Sequence, residues 1–176
     1  ALFKKEIYEK VVEAPVSEAD VMKFYEKNPE IRTSHILIES KQSDSEDKKQ
    51  VAKQKAEDIL KTLRSDASKF EELAKKSSDS PEGKNGGDIG FFKKENLTSE
   101  YYEVAINLKE NEISNVVKSI FGYHVIKLTG KKKFKEIDAI EYRNKYKQDL
   151  QNDFYKKYLT KLKDKSKIKI NLTLLK

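Results

Sequence analysis

Residues 31–130 hold four short β-prone runs separated by helical patterns, and this alternation limits what the chain can become. The runs are Ser34–Ile38, Asp88–Phe92, Glu112–Lys118 and Tyr123–Thr129. After the first, Ala52, Ala56, Ile59, Leu60 and Leu63 recur at helical spacing, which predicts a helix over about 47–64. Ser68-Lys69-Phe70-Glu71 has the form of a capping box and predicts a short helix carrying Phe70, Leu73 and Ala74. Ser77 to Gly87 gathers Pro81, Gly83, Gly86 and Gly87, breakers that predict a loop. A third helix is expected over Thr98–Leu108. The order β-α-α-β-α-β-β has too few strands for a barrel and predicts an α+β fold, a sheet covered by helices.

The flanks read differently. Residues 1–30 predict two helices broken at Pro15, the second opened by the capping box Ser17-Glu18-Ala19-Asp20 and ended by Asn28-Pro29. Beyond residue 130, Tyr142, Tyr146, Leu150, Phe154, Tyr158 and Leu162 recur every four residues. They predict a helix of about 30 residues, roughly 45 Å long. Ile168, Ile170, Leu172 and Leu174 then alternate with polar residues, predicting a terminal strand. A helix with a one-sided aromatic stripe needs a partner, either the N-terminal helices or a second chain in a homodimer through the flanks. The expected organisation is 1–30, 31–130 and 131–176.

Composition removes several classes of chemistry. With 36% hydrophobic and 38% charged residues in 176, there is apolar material for one modest core. No apolar run is long enough for a transmembrane helix. The chain opens on Ala1 rather than Met, so it is expected to be processed or cut from something longer, and it contains no signal peptide. The absence of Cys removes disulfides and thiolate nucleophiles, and two histidines without an HExxH pattern leave little for a metal. The net charge of +7 belongs to the tail, where residues 131–176 carry 15 basic and 6 acidic groups. Only Arg32, Arg64 and Arg143 are arginines, so the bidentate forks that read nucleic acid are scarce and no specific nucleic-acid partner is expected.

Both histidines fall in predicted strands. At period 2, His35 shares a face with Leu37, and His124 shares one with Ile126 and Leu128. Their separation is no metal motif, and no G-x-S-x-G elbow accompanies them. The residues by themselves give a histidine pair on a sheet near a glycine-rich loop, without a reaction.

Four motifs supply the reaction by resemblance. These are Ser34-His35-Ile36-Leu37-Ile38, the run Phe70-Glu71-Glu72-Leu73-Ala74-Lys75-Lys76-Ser77-Ser78-Asp79, then Gly86-Gly87-Asp88-Ile89-Gly90-Phe91-Phe92, and Phe121-Gly122-Tyr123-His124-Val125-Ile126-Lys127. In order and spacing, residues 32–130 resemble the parvulin family of peptidyl-prolyl cis-trans isomerases. The resemblance implies a four-stranded antiparallel sheet wrapped by helices. It implies that His35 and His124 are the family's paired histidines in the floor of the active site, joined by Ser119. Ser80 falls where many parvulins carry Cys and others Asp or a small polar residue. Ile89, Leu97, Tyr101 and Phe121 fall where the family lines its proline pocket. Tyr101 stands where Phe is common, so a hydroxyl at the pocket wall is expected to lower activity.

The flanks are similar to those of exported bacterial foldases of the SurA and PrsA type, whose helices form a second lobe that holds unfolded clients. The resemblance therefore implies a cofactor-free isomerase and chaperone of the cell envelope, acting non-covalently on X-Pro bonds of unfolded polypeptides. The alternative is a holdase whose parvulin domain grips peptides but turns over poorly, which Ser80 and Tyr101 keep open. The loop after the first strand, Glu39 to Asp47, carries one Lys against four acids. A phosphorylated substrate would be repelled there.

Overall fold

In the computed structural model, which describes residues 15–165, the first strand lies inside a sheet. β1 (Ile31–Glu39) pairs antiparallel with β2 (Asp88–Phe92) on one side and β4 (Gly122–Lys131) on the other. β3 (Val117–Ser119) pairs antiparallel with β4, giving the order β2-β1-β4-β3. This is the four-stranded antiparallel sheet expected for an α+β parvulin fold.

The period of the strands sorts their side chains onto two faces. Ile36, Ile38, Tyr123 and Val125 point to one face, where they pack with Ala52, Ala56, Ile59 and Leu63 of α2 (Glu46–Ser65) and Phe70 and Ala74 of α3 (Phe70–Ser77). Ile31, Ile126 and Leu128 point to the other, against Tyr101, Tyr102 and Ala105 of α4 (Ser99–Asn107). The first face is apolar where its helices cover it, whereas the second also buries Thr33, His35 and His124. Such double coverage explains how so charged a chain finds a core.

Three expectations are corrected in detail. The Ser68 capping box does not form. Asp66 caps a 3₁₀ turn (Ala67–Lys69) instead, taking the Ser68 N–H at 3.1 Å and the Ser68 hydroxyl at 2.6 Å. A carboxylate two residues upstream captures the serine before it can serve the helix. The strand expected over Glu112–Lys118 is regular only at Val117–Ser119, with a single bridge at Ile113 to Lys127. Asn111 at φ 66° turns the chain in, and Ser114 then bonds Ile126 through its backbone and hydroxyl. Within the expected loop 77–87, Pro81–Asn85 form a 3₁₀ turn started by Pro81.

The chain divides into two units, Glu26–Ile137 with the whole sheet, and the flanks up to Tyr25 and from Asp138. In the second unit, α1 (Glu18–Lys27) is opened by Ser17, whose hydroxyl and N–H both bond Asp20 while it caps the Asp20 N–H at 3.2 Å. Tyr25 meets Tyr142 edge-on at 4.9 Å and Phe24 meets Tyr146 at 5.2 Å, so this helix partners the start of α5 (Ala139–Lys165). The helix before Pro15 and the terminal strand at 168–174 lie outside the described residues.

Candidate functional site

The register of β1 against β4 sets Leu37 opposite His124 and His35 opposite Ile126. His35 and His124 are therefore diagonal neighbours on the α4 face, within reach of one another. Their rings stack with centroids 5.4 Å apart, and the two Nδ1 atoms are 3.2 Å apart. Each histidine has a serine at its far end. His124 Nε2 is 2.7 Å from Ser119 Oγ, and His35 Nε2 is 3.1 Å from Ser80 Oγ.

Local structure delivers each serine. Ser119 ends β3, in register with Gly122, and its hydroxyl receives the Phe121 N–H at 3.1 Å. Ser80 is brought in by the segment before it, which runs along β1 beyond the end of β2. There the Asp79 N–H reaches Leu37 O at 2.8 Å, the Leu37 N–H reaches Ser78 Oγ at 3.1 Å, and the Glu39 N–H reaches the Asp79 carboxylate at 2.8 Å. Gly87 then passes so close to His35 that a Cβ there would sit 2.2 Å from His35 O, and its φ of 83° also demands glycine. The His35 N–H donates to Gly87 O at 2.9 Å, and Arg32 grips Asp88 with two bonds at 3.2 and 2.5 Å. On the opposite side Gly122, at φ 135°, lets β4 begin against the backbone of Ile38.

The structure thus brings His35, Ser80, Ser119 and His124 into one hydrogen-bonded chain that crosses the sheet. Sequence reasoning missed its last member, Glu82, whose carboxylate accepts from the Ser80 hydroxyl. The signal available was local: a carboxylate two residues after Ser80, just past the proline that starts a turn. Thr33 was missed as well. It is fully buried and shares a hydrogen bond of 2.9 Å with Tyr101 OH.

Electrostatics keep the histidines neutral. Burial pushes the His124 pKa down to about 3, helped by the neighbouring His35. Burial also lowers that of His35, although the charge of Glu82 opposes it. The Ser80 hydrogen bond holds Glu82 below the usual carboxylate range.

The four residues expected around a proline ring are placed unequally. Tyr101 is buried beneath the histidines, its ring edge-on to His124 at 5.4 Å and to His35 at 5.8 Å. Its hydroxyl points to Thr33, and burial pushes its pKa up. Ile89 and Leu97 are half-buried against the same cluster. Phe121 is 56% exposed, tethered to the relay through its N–H. A cavity of about 310 Å³ opens beside Ser119, but it is lined by Lys41, Lys49, Glu100, Lys118, Ile120 and their neighbours, and by none of these four. Two acids offset two of its three lysine charges: Glu100 on its wall and Glu46, which holds Lys49 Nζ at 2.9 Å. Among the described residues no group of histidines and carboxylates could hold a metal ion.

Comparison with known proteins places the arrangement. The family model for the PPIC-type PPIase domain matches residues 19–132. Foldase protein PrsA 2 of Bacillus anthracis is 39% identical over 169 residues, covering 92% of this chain and 53% of that protein. The chain thus spans about half the length of that relative. Among solved structures, a peptidylprolyl isomerase (PrsA) from Bacillus cereus matches with TM-score 0.61 and 29% identity over 93% of this chain and 60% of that one. One from Bacillus anthracis matches with TM-score 0.56 and 35% identity over 96% and 73%.

Proposed function

Because the chain belongs to the PPIC-type peptidyl-prolyl isomerase family, we propose that it rotates X-Pro bonds of unfolded, extended polypeptides between cis and trans. The observation that carries this is the chain of hydrogen bonds from Ser119 to Ser80, lying beside an exposed aromatic ring at Phe121. The reaction suits such a site. The barrier is about 18–20 kcal/mol, and no bond is broken, so no nucleophile is needed. A surface that holds the pyrrolidine ring while the preceding carbonyl turns suffices. Keeping water off the amide weakens its planar, charge-separated form, and each tenfold of rate asks for about 1.4 kcal/mol of preferential binding to the twisted state.

Phe121, Leu97 and Ile89 supply the apolar surface for the ring in this reading. His35, Ser80, Ser119 and His124 form the floor, and Ser80 supports a non-covalent mechanism because a serine offers no thiolate. The two features behind the holdase alternative lose their force. Ser80 keeps its place in the relay, and the Tyr101 hydroxyl is taken up by Thr33 instead of facing a ligand. The loop Glu39 to Asp47, with four acids against one Lys, supports general X-Pro peptides as the substrate class. The likeness to PrsA foldases supports clients that are unfolded chains and an exported place in the cell envelope, with the flanks as the client-holding lobe. The rings facing Tyr142 and Tyr146 come from the same chain, so a homodimer through the flanks would use other residues.

The test is protease-free cis/trans exchange on a short Ala-Pro peptide, comparing wild type with Phe121→Ala. Loss of an exposed ring leaves the core intact, and exchange is expected to fall about tenfold or more, the worth of one aromatic contact. No acceleration by folded wild type would overturn the reading.

A further inference from the structure

We propose that Glu82 is a positioning residue that fixes the direction of the entire relay and, with it, the tautomer of both histidines. An ionised carboxylate only accepts, and the Ser80 hydroxyl has a single proton, which goes to Glu82. Toward His35, Ser80 can then only accept, so the proton of His35 sits on Nε2. A neutral imidazole carries one N–H, which leaves His35 Nδ1 bare. The facing Nδ1 of His124, 3.2 Å away, must therefore carry the proton between the two rings. That leaves His124 Nε2 bare, and the Ser119 hydroxyl at 2.7 Å donates to it. Ser119 in turn accepts from the Phe121 N–H.

Every proton thus points one way, from the backbone of Phe121 to the carboxylate of Glu82. Reversing any single link would set two donors or two bare lone pairs against each other in a buried site. The end held by Glu82 is a pure acceptor and sets the order, whereas the Ser119 oxygen, with two lone pairs, accepts the Phe121 N–H in either direction. Without Glu82 the Ser80 proton is free to turn toward His35, and the opposite order on that side becomes accessible. His35 Nδ1 would then carry a proton toward His124, and the pairing of the rings would be lost or inverted.

This inference rests on the site proposed above, but its readout does not depend on turnover. Long-range proton–nitrogen spectra of the ¹⁵N-labelled full chain at pH 7.5 resolve the tautomers, because the sequence has just two histidines. The expected wild-type result is His35 protonated at Nε2 and His124 at Nδ1. In Glu82→Ala the His35 nitrogens are expected to move to averaged shifts, and peptide exchange is expected to slow about three- to tenfold, the loss of one hydrogen bond's ordering. A wild-type spectrum with both rings in the same tautomer, or Glu82→Ala with wild-type tautomers, overturns the proposal. If that variant fails to fold, the wild-type spectrum decides alone. Expected tautomers in a wild type that accelerates no exchange would leave Glu82 its role and overturn the isomerase reading instead.

Discussion

Among the described residues His35 and His124 have no carboxylate in direct hydrogen-bond contact, and burial is the main cause that keeps them uncharged. That has a consequence for stability. In the unfolded chain a histidine protonates near pH 6.5, whereas in the folded protein His124 stays neutral to about pH 3. Below pH 6.5 the unfolded state therefore binds more protons. Stability is fully present above pH 6.5 and falls as pH drops, by about 1.4 kcal/mol per unit for His124 alone. The window from pH 6.5 to 4.5 isolates the two histidines together, because Glu82 and Asp88, whose pKa values are also lowered, begin to contribute only below it. Urea midpoints measured across that window should slope in wild type and slope less in His124→Asn, where only His35 remains; a flat wild-type profile would contradict the neutral pair. The pairing itself was legible in the sequence, since alternation places each histidine on a definite face. Its chemistry was not. The partners of a hydroxyl depend on distances of tenths of an ångström, and nothing in the pattern around Ser80 says which way its proton turns.

Among the elements, the strands of the centre were easier to read than their edges. β1 and β4 announce themselves by their concentration of β-branched residues, Ile31, Thr33, Ile36 and Ile38 in one and Val125, Ile126 and Thr129 in the other, and α2 by its apolar spacing. β3 is short because its neighbours bond through a serine hydroxyl and an asparagine turn, which propensity does not record. One demanding junction is where Gly87 crosses His35. Alanine at that position would need both a left-handed backbone and a Cβ inside the His35 carbonyl. Gly87→Ala is expected to cost at least about 2 kcal/mol and to shift the Ser80 arm away from His35. Gly90→Ala makes the control, because it shares the positive φ but has open space where the Cβ would go. Chemical denaturation of the two separates crowding from backbone strain; equal losses would show that the crossing adds nothing.

For the molecule as a whole, the division at Tyr25 and at Ile137 lets the work proposed for each part of the chain be tested separately. The sheet, both histidines and the complete relay belong to Glu26–Ile137. An excised 26–137 fragment is expected to keep peptide exchange, while suppression of aggregation of an unfolded client falls relative to the full chain. Retained suppression by the fragment would remove the flanks from the chaperone reading. The aromatic stripe of α5 showed in the sequence that a partner was required, and α1 answers for its first turns. Which partner it was could not be read, because any apolar face satisfies the stripe equally well. The relay carries a last consequence, for the order in which the protein makes itself. Its two rings come from positions 89 residues apart, and Ser80 from 45 residues beyond His35. Helices and tight turns form from near neighbours, but contacts this distant must wait for the chain to close on itself. A site proposed to hasten the slow steps of other chains is thus complete only at the close of its own chain's folding, when the first strand finally lies beside the last.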